Sequence, residues 1–515
     1  MNKIYKIGLL SLTLFASACK KDMLDTRPTD SVSDKAVFEN TTNAKLAVNG
    51  LAKMMTMQYL GQQGFNGEGT IKMYYGNYPG NHFFVNLSGW AAIINSLYNE
   101  NSQSLYNYYP WYYYYKIIGN ANAIINNIDK AAGTESERQS IKAQALTFRA
   151  YAFFMASQLY CYRWADSNNG ASKGLVLRTD LSNGDMPLST LAETYAQIYA
   201  DLDQAIQLFA SSGDVNNHTN NYMTNSNVAY AIYARAALTR QDYATAEKYA
   251  ALARNGYSLM NVTDYNAGFA KPTSEWIWSS YGASDETLYY YSYGAMIGYN
   301  SSAAAVRSTP KCISRELYNK IPTTDIRRNL FFDPKSDVYN YETGAIAAGA
   351  AGKPMYNRAF AERPDLYATA SVFAYMQFKI KVIDQPGVSN VNHFRSSEMV
   401  LVEAEAKYFQ NKPAAEIQQL LVNLNKGTGR DTSYTCTKTG TDLLNEIKLY
   451  RAIELWGEGF DWFDMKRWAD PIDRKDYPAG GNFITPLAVK IQPQDKNKWT
   501  WVVPDRETLY NLGLK

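Results

Sequence analysis

Four carboxylates near the end of the chain have the residue types that a glycosidase needs: Glu454, Glu458, Asp461 and Asp464. Two carboxylates roughly 5–9 Å apart can hydrolyse a glycosidic bond. However, an arginine lies three residues before the first carboxylate and another lies three residues after the last, a spacing at which helical side chains pair. We therefore expect an ion-pair network at a helix junction interrupted by Gly457, with an extracellular glycoside hydrolase as an alternative.

Residues suited to metal or nucleophilic chemistry are few and scattered. The chain has 3 histidines and 4 cysteines, without the spacing of a metal site. Gly344–Lys353 imitates a phosphate-binding loop, but Ala347 replaces the leading glycine and Pro354 follows the lysine. We expect no metal, no cofactor and no catalytic residue. A structural calcium ion remains open, as does a disulfide between two of Cys161, Cys312 and Cys436.

Aromatic residues are abundant in two long segments that lack helical periodicity, residues 61–104 and 271–395. The chain has 42 tyrosines and 10 tryptophans, side chains that join a flat apolar face to a polar tip. Irregular segments of this length are frequently functional. These two segments are therefore better candidates for ligand binding than the acidic cluster.

The first 19 residues have the features of an exported lipoprotein. Two lysines precede an apolar stretch, residues 7–15, which is too short to cross a membrane. Small residues follow, and Cys19 comes directly after them, where a lipid-modified cysteine stands. We expect residues 1–18 to be a signal peptide and residues 19–33 a lipidated tether, with a plain secretory signal as the alternative.

The charge balance argues against nucleic acid as a partner. Lysine and arginine total 51 against 48 aspartates and glutamates, a formal charge of +3. Removal of a signal segment with two lysines would reduce that charge to +1. A chain this close to neutrality has no electrostatic attraction for a polyanion.

The rest of the sequence favours a mostly α-helical fold. Residues 135–163 repeat apolar side chains at alternating steps of three and four, as in an amphipathic helix. Asn227–Leu259 places small and aromatic residues on two helices joined at Gln241 and Asp242, which resembles a tetratricopeptide repeat. We expect Ser140–Trp164 and Asn227–Leu259 to pack side by side. Further helical patterns occupy residues 34–59, 108 onward, 190–210, 396–410 and 441–468.

Several passages, taken together and in this order, resemble the SusD/RagB family of bacterial outer-membrane lipoproteins. They are Cys19–Pro28, Asn120–Asp129 followed by Ala143–Phe154, Phe394–Ala406, and Arg451–Trp468. The third of these motifs is altered at Ser396, Ser397 and Val402. The resemblance covers nearly the whole chain.

The resemblance implies a tetratricopeptide-like helix-pair superhelix with a second, variable and loop-rich lobe. Residues 34–270 would form the N-terminal helical region, including the aromatic loop 61–104. Residues 271–395 would form the variable ligand-binding lobe, and residues 396–515 the C-terminal helical region.

The resemblance also implies a function. Family members are not enzymes; they are lipid-anchored to the outer membrane at the cell surface, above a SusC-type TonB-dependent transporter. There they capture a nutrient, usually a glycan, so we expect a glycan and such a transporter as partners. Capture of a non-glycan nutrient, such as an oligopeptide, is the alternative.

Within the two irregular regions we expect a shallow aromatic surface that binds the glycan. A pyranose ring has apolar C–H faces and a rim of hydroxyls, so flat rings stack on it and polar side chains bond its rim. Because the candidate rings lie outside the helical periodicity, they are not obviously required as core. The expected ligand-binding residues are Asn81, Trp90, Tyr98, Asn101, Trp276, Trp278, Tyr281, Tyr289 and Tyr291.

Overall fold

The computed structural model describes residues 34–62, 64–213, 220–283, 291–335, 337–344 and 353–514. The α-helices of these residues are α1 Asp34–Val37, α2 Thr41–Met54, α3 Gly67–Thr70, α4 Ala91–Ile94, α5 Leu105–Asn127, α6 Glu135–Tyr160, α7 Leu191–Ser212, α8 Ser226–Thr239, α9 Tyr243–Ala253, α10 Val262–Tyr265, α11 Tyr293–Ile297, α12 Ala304–Arg307, α13 Arg315–Lys320, α14 Lys353–Glu362, α15 Ser396–Phe409, α16 Ala414–Asn425, α17 Gly440–Glu454, α18 Asp461–Trp468 and α19 Asp505–Thr508. The strands are β1 Phe83–Val85, β2 Trp276–Ser280, β3 Lys311–Ile313, β4 Val391–Arg395, β5 Ile472–Asp473 and β6 Lys490–Ile491. The expected mostly α fold is confirmed.

Two of the long helices begin at capping boxes that fix their first turns. At α6, the Thr134 hydroxyl accepts a hydrogen bond from the Glu137 backbone N–H at 3.2 Å, and the Glu137 carboxylate accepts from the Thr134 N–H at 2.9 Å. Thr190 and Glu193 make the same reciprocal pair at α7. Each exchange satisfies two backbone groups that have no partner inside the helix. Local sequence therefore starts these helices close to the predicted positions.

Helices α8 and α9 form the predicted helix pair. Ala231, Ala234 and Ala250 are fully buried, which lets the two backbones approach closely. The rings of Tyr233 and Tyr249 stack across the crossing with centroids 4.1 Å apart. Helix α6 packs against α7 and α8, so the predicted neighbourhood of these segments is confirmed.

The segment 61–104 has more helix than its composition indicates. Helix α3 continues into a π-helix, Ile71–Asn77, and both are buried along their full length. An amphipathic period arises only where one face meets water, and this segment is enclosed on every side. The expectation of irregular structure is therefore wrong for residues 67–77.

Short strands join the two aromatic regions to each other and to the helical scaffold. Strands β1 and β3 are antiparallel, with Phe83 opposite Ile313. Strands β2 and β4 are antiparallel with Trp278 opposite Phe394, and helix α15 follows β4 directly. A third pair, β5 with β6, lies near the C-terminus. Among the described residues, no helix is both long and apolar enough to cross a membrane.

Candidate functional site

The acidic cluster is a buried ion-pair network, as predicted. The Glu454 carboxylate accepts hydrogen bonds from Arg395 at 2.7 Å and from Arg327 at 2.8 Å. Arg430 donates to the same carboxylate at 3.0 Å, and Glu454 is fully buried. Burial opposes ionisation of Glu454, but Arg430, Arg395 and Arg327 outweigh it and hold its pKa well below the usual value.

Arg395 and Lys379 likewise lower the pKa of the buried Glu458 despite its desolvation. A glycosidase general acid needs a raised pKa so that it keeps its proton at neutral pH. Glu454 and Glu458 have the opposite shift, and each is bonded to cations. These carboxylates are therefore arranged as permanently ionised partners of arginine and lysine, and not as proton donors.

Of the two pairs that sequence spacing indicated, one forms: Arg467 bonds Asp464 at 2.8 Å. Arg451 bonds Asp464 at 2.7 Å rather than Glu454, although Glu454 lies only three residues away. Asp461 belongs to a separate contact, in which it binds the His82 ring at 2.7 Å and the His82 backbone N–H at 2.6 Å. Helical spacing therefore predicts the Asp464–Arg467 pair, whereas tertiary neighbours decide the partners of Arg451 and Asp461.

Trp276 and Trp278 belong to the core, so the expectation that their rings lie outside it is wrong. Their exposed fractions are 0% and 1%. The Trp278 ring meets Phe148 and Tyr151 edge-on, with centroids 5.5 Å and 5.1 Å away. The physical reason is that β2 pairs with β4 on the scaffold, and all five of its residues are buried. No surface ligand can stack on either ring in this structure.

The remaining predicted residues have different environments. Asn81 is a structural amide, because its side chain donates to the Pro471 carbonyl at 2.9 Å and accepts from the Asp473 N–H at 2.8 Å. Tyr281 is 55% exposed and its ring meets Tyr222 edge-on at 5.2 Å. Asn101 is exposed, and its side-chain oxygen accepts from a backbone N–H two residues on. Tyr289 and Cys19 lie outside the described residues.

Two other predicted rings, Trp90 and Tyr98, contact Tyr106, a residue absent from the expected set. Tyr98 stacks on Tyr106 with centroids 5.1 Å apart and planes 15° apart. Trp90 lies at 6.3 Å from the same ring and meets Tyr74 edge-on at 5.0 Å. Trp90, Tyr98, Tyr106 and Tyr291 are partly exposed, whereas Tyr74 is fully buried behind them. We call these five residues the Tyr106 cluster.

Local structure holds the rings of the Tyr106 cluster in place. Ser104 caps helix α5 by accepting the Tyr106 N–H at 3.2 Å, so Tyr106 occupies the first turn. The Tyr75 hydroxyl donates to the Tyr106 carbonyl at 2.6 Å. Trp90 and Tyr98 each lie on a short 3₁₀ helix, Ser88–Trp90 and Tyr98–Glu100. A ligand would therefore meet a preformed surface.

Tyr291 reaches this surface from the second aromatic region. Helix α3 contacts the start of α11 closely: a β-carbon on Gly69 would lie 2.8 Å from the Tyr293 β-carbon, so only glycine fits. Burial raises the pKa of Tyr106, and the nearby hydroxyls of Tyr98 and Tyr291 add to the increase. The Tyr106 hydroxyl is therefore neutral at physiological pH.

Sequence reasoning missed Tyr106 because helical periodicity is clear only from residue 108 onward. The serine two residues before it is a helix-capping signal that places Tyr106 in the first turn, next to the preceding loop. Tyr74 was missed because it lies in the buried π-helix, which has no amphipathic pattern. The cluster thus combines three rings of the expected set, Trp90, Tyr98 and Tyr291, with two that were not expected.

The fold is shared with solved bacterial proteins. A "SusD-like carbohydrate binding protein" from Bacteroides vulgatus ATCC 8482 is 20% identical with a TM-score of 0.75, and the match covers 93% of this chain and 98% of that one. A "putative sugar binding protein" from the same organism is 21% identical with a TM-score of 0.71 and the same coverage. A SusD superfamily protein from Bacteroides thetaiotaomicron VPI-5482 is 22% identical with a TM-score of 0.72, covering 92% and 99%. No curated protein matches this chain.

Family models identify the class of protein that this fold represents. A model described as "Starch-binding associating with outer membrane" matches residues 24–238. The model of the SusD family matches residues 240–500, which is more than half of the chain. The chain belongs to the SusD family, and the resemblance found in the four motifs is confirmed.

Proposed function

We propose that this protein is a cell-surface lipoprotein that captures an oligosaccharide or polysaccharide and delivers it to a SusC-type TonB-dependent transporter. Membership of the SusD family supports this class of function. Two proteins of the same fold carry the descriptions of carbohydrate-binding and sugar-binding protein. The Tyr106 cluster supports a glycan as the ligand.

The observation that carries the proposal is the partly exposed, preformed ring surface around Tyr106. The C–H face of a sugar stacks on such rings, and the tyrosine hydroxyls at their edges can bond the hydroxyl rim. Trp90 and Tyr98 are the strongest stacking candidates, because each ring is fixed by aromatic neighbours. The exposed Asn101 amide, beside Tyr98 in the chain, is a further candidate for hydroxyl contacts.

We propose binding without turnover. The carboxylates most suited to glycosidase chemistry are buried and bonded to arginines, with lowered pKa values. They are also joined to the scaffold through β4 and α17, so they hold the helical lobe together. These contacts favour a purely structural role over the hydrolase alternative.

The proposed location rests on the N-terminal sequence and on the family. Cys19 follows a short apolar segment and small residues, the pattern of a lipid-modified cysteine. Acyl chains contribute about 0.8 kcal/mol per buried methylene, so lipid alone can hold the protein at a membrane. We expect Cys19→Ala to move the protein from the membrane fraction to the medium or periplasm.

The proposed ligand class can be tested by calorimetric titration. Purified protein that begins at residue 19 is titrated with a panel of neutral oligosaccharides. We expect at least one member to bind without being cleaved, and Trp90→Ala to weaken it about thirtyfold, the effect of losing a central anchor. Phe409→Ala is the matched control, because Phe409 is 38% exposed and stacks on Tyr243 in the helical scaffold, outside the cluster.

Unchanged affinity in folded Trp90→Ala protein would move the site elsewhere. Binding of oligopeptides but of no glycan would favour the alternative nutrient. Release of reducing sugar from a bound oligosaccharide would show that the protein is an enzyme.

A further inference from the structure

A second group of tyrosines forms an ordered stack away from helix α5. The rings of Tyr341 and Tyr477 stack with centroids 3.9 Å apart and planes 15° apart. Tyr339 meets Tyr341 edge-on at 4.6 Å and Tyr477 at 6.4 Å. Tyr339 is buried, whereas Tyr341 is 44% exposed. We call these three residues the Tyr341 stack. The exposed Tyr341 ring is held in position by the rings of Tyr339 and Tyr477.

Arg315 completes the stack with a positive charge. Its guanidinium carbon lies 4.7 Å from the centre of the Tyr477 ring, and its side chain is half-buried. Burial raises the pKa of Tyr339 and of Tyr375, and the charge of Arg315 opposes the increase at both. The guanidinium therefore lies among tyrosine hydroxyls as well as against a ring.

Unlike the arginines bonded to Glu454, Arg315 has no acidic partner in the described part of the chain. Within the described ranges, no carboxylate lies within salt-bridge distance of its side chain. The neighbouring Glu316 is bonded to Lys475 at 2.9 Å. By contrast, Arg327, Arg395 and Arg430 each bind at least two carboxylate groups. A guanidinium stacked on a ring keeps its in-plane N–H groups free to bind a planar anion at two points.

The Tyr341 stack lies on loops that adjoin the Tyr106 cluster. The Asn86 side chain, four residues before Trp90, donates to the Thr343 carbonyl at 3.2 Å. Arg474, three residues before Tyr477, donates to the Asn95 side chain at 2.8 Å. These two hydrogen bonds connect the loops of the two ring groups, so the groups lie on neighbouring loops.

We propose that Arg315, Tyr341 and Tyr477 form a second subsite, which takes a uronic acid residue of the captured glycan. The exposed Tyr341 ring would stack on the sugar face, and the guanidinium would bind the carboxylate. This inference rests on the proposed glycan capture and narrows its substrate class to acidic glycans. The Tyr106 cluster would hold neighbouring sugars through neutral contacts.

The test compares acidic oligosaccharides with partners that differ only in the carboxylate. Suitable probes are hexamers of galacturonan and hyaluronan and an aldouronic xylo-oligosaccharide, each paired with its carboxyl-reduced form. We expect wild-type protein to bind at least one acidic form tenfold or more tightly than its reduced form. Because the contact is ionic, this preference should decrease as salt increases.

Variants then assign the preference to the guanidinium. Arg315→Gln should abolish the preference for the acidic form while leaving affinity for the reduced form unchanged. Arg240→Gln is the matched control, since Arg240 is also half-buried, lies 4.9 Å from the Tyr199 ring in the helical scaffold, and its loss changes net charge equally. Tyr341→Ala should weaken both forms, because it removes the stacking ring.

Equal binding of acidic and reduced forms by wild-type protein would overturn the uronic acid subsite, as would an Arg315→Gln variant that keeps the preference. A stronger preference for sulfated than for carboxylated probes would also overturn it. If Trp90→Ala at the same time lost affinity for neutral oligosaccharides, the proposed glycan capture would still stand, and only the uronic acid subsite would be wrong. Failure of every glycan, neutral or acidic, would overturn both proposals.

Discussion

Tyr98 and Tyr106 stack with their ring planes 15° apart, although one lies on a 3₁₀ turn and the other in the first turn of a 23-residue helix. The contact joins an irregular segment to the scaffold at the point where the chain becomes helical. Trp90 and Tyr291 complete a surface that two distant segments contribute. The candidate binding rings are thus held by the same packing that starts helix α5.

The first prediction concerns that stack. Tyr98→Ala should weaken glycan binding by about 2 kcal/mol if Tyr98 is a central anchor, because it removes the stacking face. Tyr98→Phe should retain most of the affinity, since the ring remains and only a hydroxyl is lost. Titration calorimetry measures both, and circular dichroism checks that the helices persist. Equal losses in the two variants would show that the hydroxyl, and not the ring, makes the contact.

The second prediction separates core tryptophans from surface ones. Trp278→Ala should lower the free energy of unfolding by about 3–5 kcal/mol, because it leaves a cavity against Phe148 and Tyr151. Trp278→Phe should cost less and leave glycan affinity unchanged. Urea unfolding and titration of the same preparations provide the comparison. Reduced affinity in the stable Trp278→Phe protein would show that this ring reaches the ligand after all.

The third prediction compares one substitution at two buried carboxyls. Glu454→Gln removes the charge that three arginines share, and should lower the free energy of unfolding by about 3–5 kcal/mol. Glu68 is bonded by tyrosine hydroxyls, with Tyr151 at 2.7 Å, and burial raises its pKa. Glu68→Gln should therefore cost clearly less. Equal costs in urea unfolding would contradict the arginine network as the stabilising feature.

The fourth prediction is the sign of the pH dependence. Glu454, Glu458 and Asp464 have lowered pKa values in the folded protein, where nearby arginines and lysine outweigh the desolvation of burial. Their stabilising contribution is complete above their unfolded pKa values, about 4 to 4.5, and is lost as the pH falls through the folded values. Glu68 has the opposite sign, because its raised pKa favours the protonated form.

Unfolding by urea between pH 7 and pH 3 measures this dependence. The free energy of unfolding should decrease towards acid, and the decrease should be shallower in Glu454→Gln, which lacks one of the responsible groups. Parallel curves for wild type and variant would assign the acid sensitivity to other residues.

The helical scaffold was predictable from the sequence because it depends on short-range patterns, and residue types alone indicated that the acidic cluster is ion-paired. Capping residues and steps of three and four define α6 and α7 within the chain itself. The α8–α9 connection at Gln241 and the interruption at Gly457 also follow from local residue types, and both residues have positive φ. The four family motifs lie mainly in this scaffold.

Only the tertiary structure decided which aromatic residues are core and which are surface. Trp90 and Trp278 both lie outside helical periodicity, yet one is partly exposed and the other is buried by strand β4, more than 100 residues later in the chain. Ion-pair partners such as Arg451 and Asp464 likewise depend on how the chain returns after Gly457 and Gly459. Burial and ion pairing depend on contacts between residues that are far apart in the chain. A single sequence shows which residue types are present, but it does not show which of those residues come into contact.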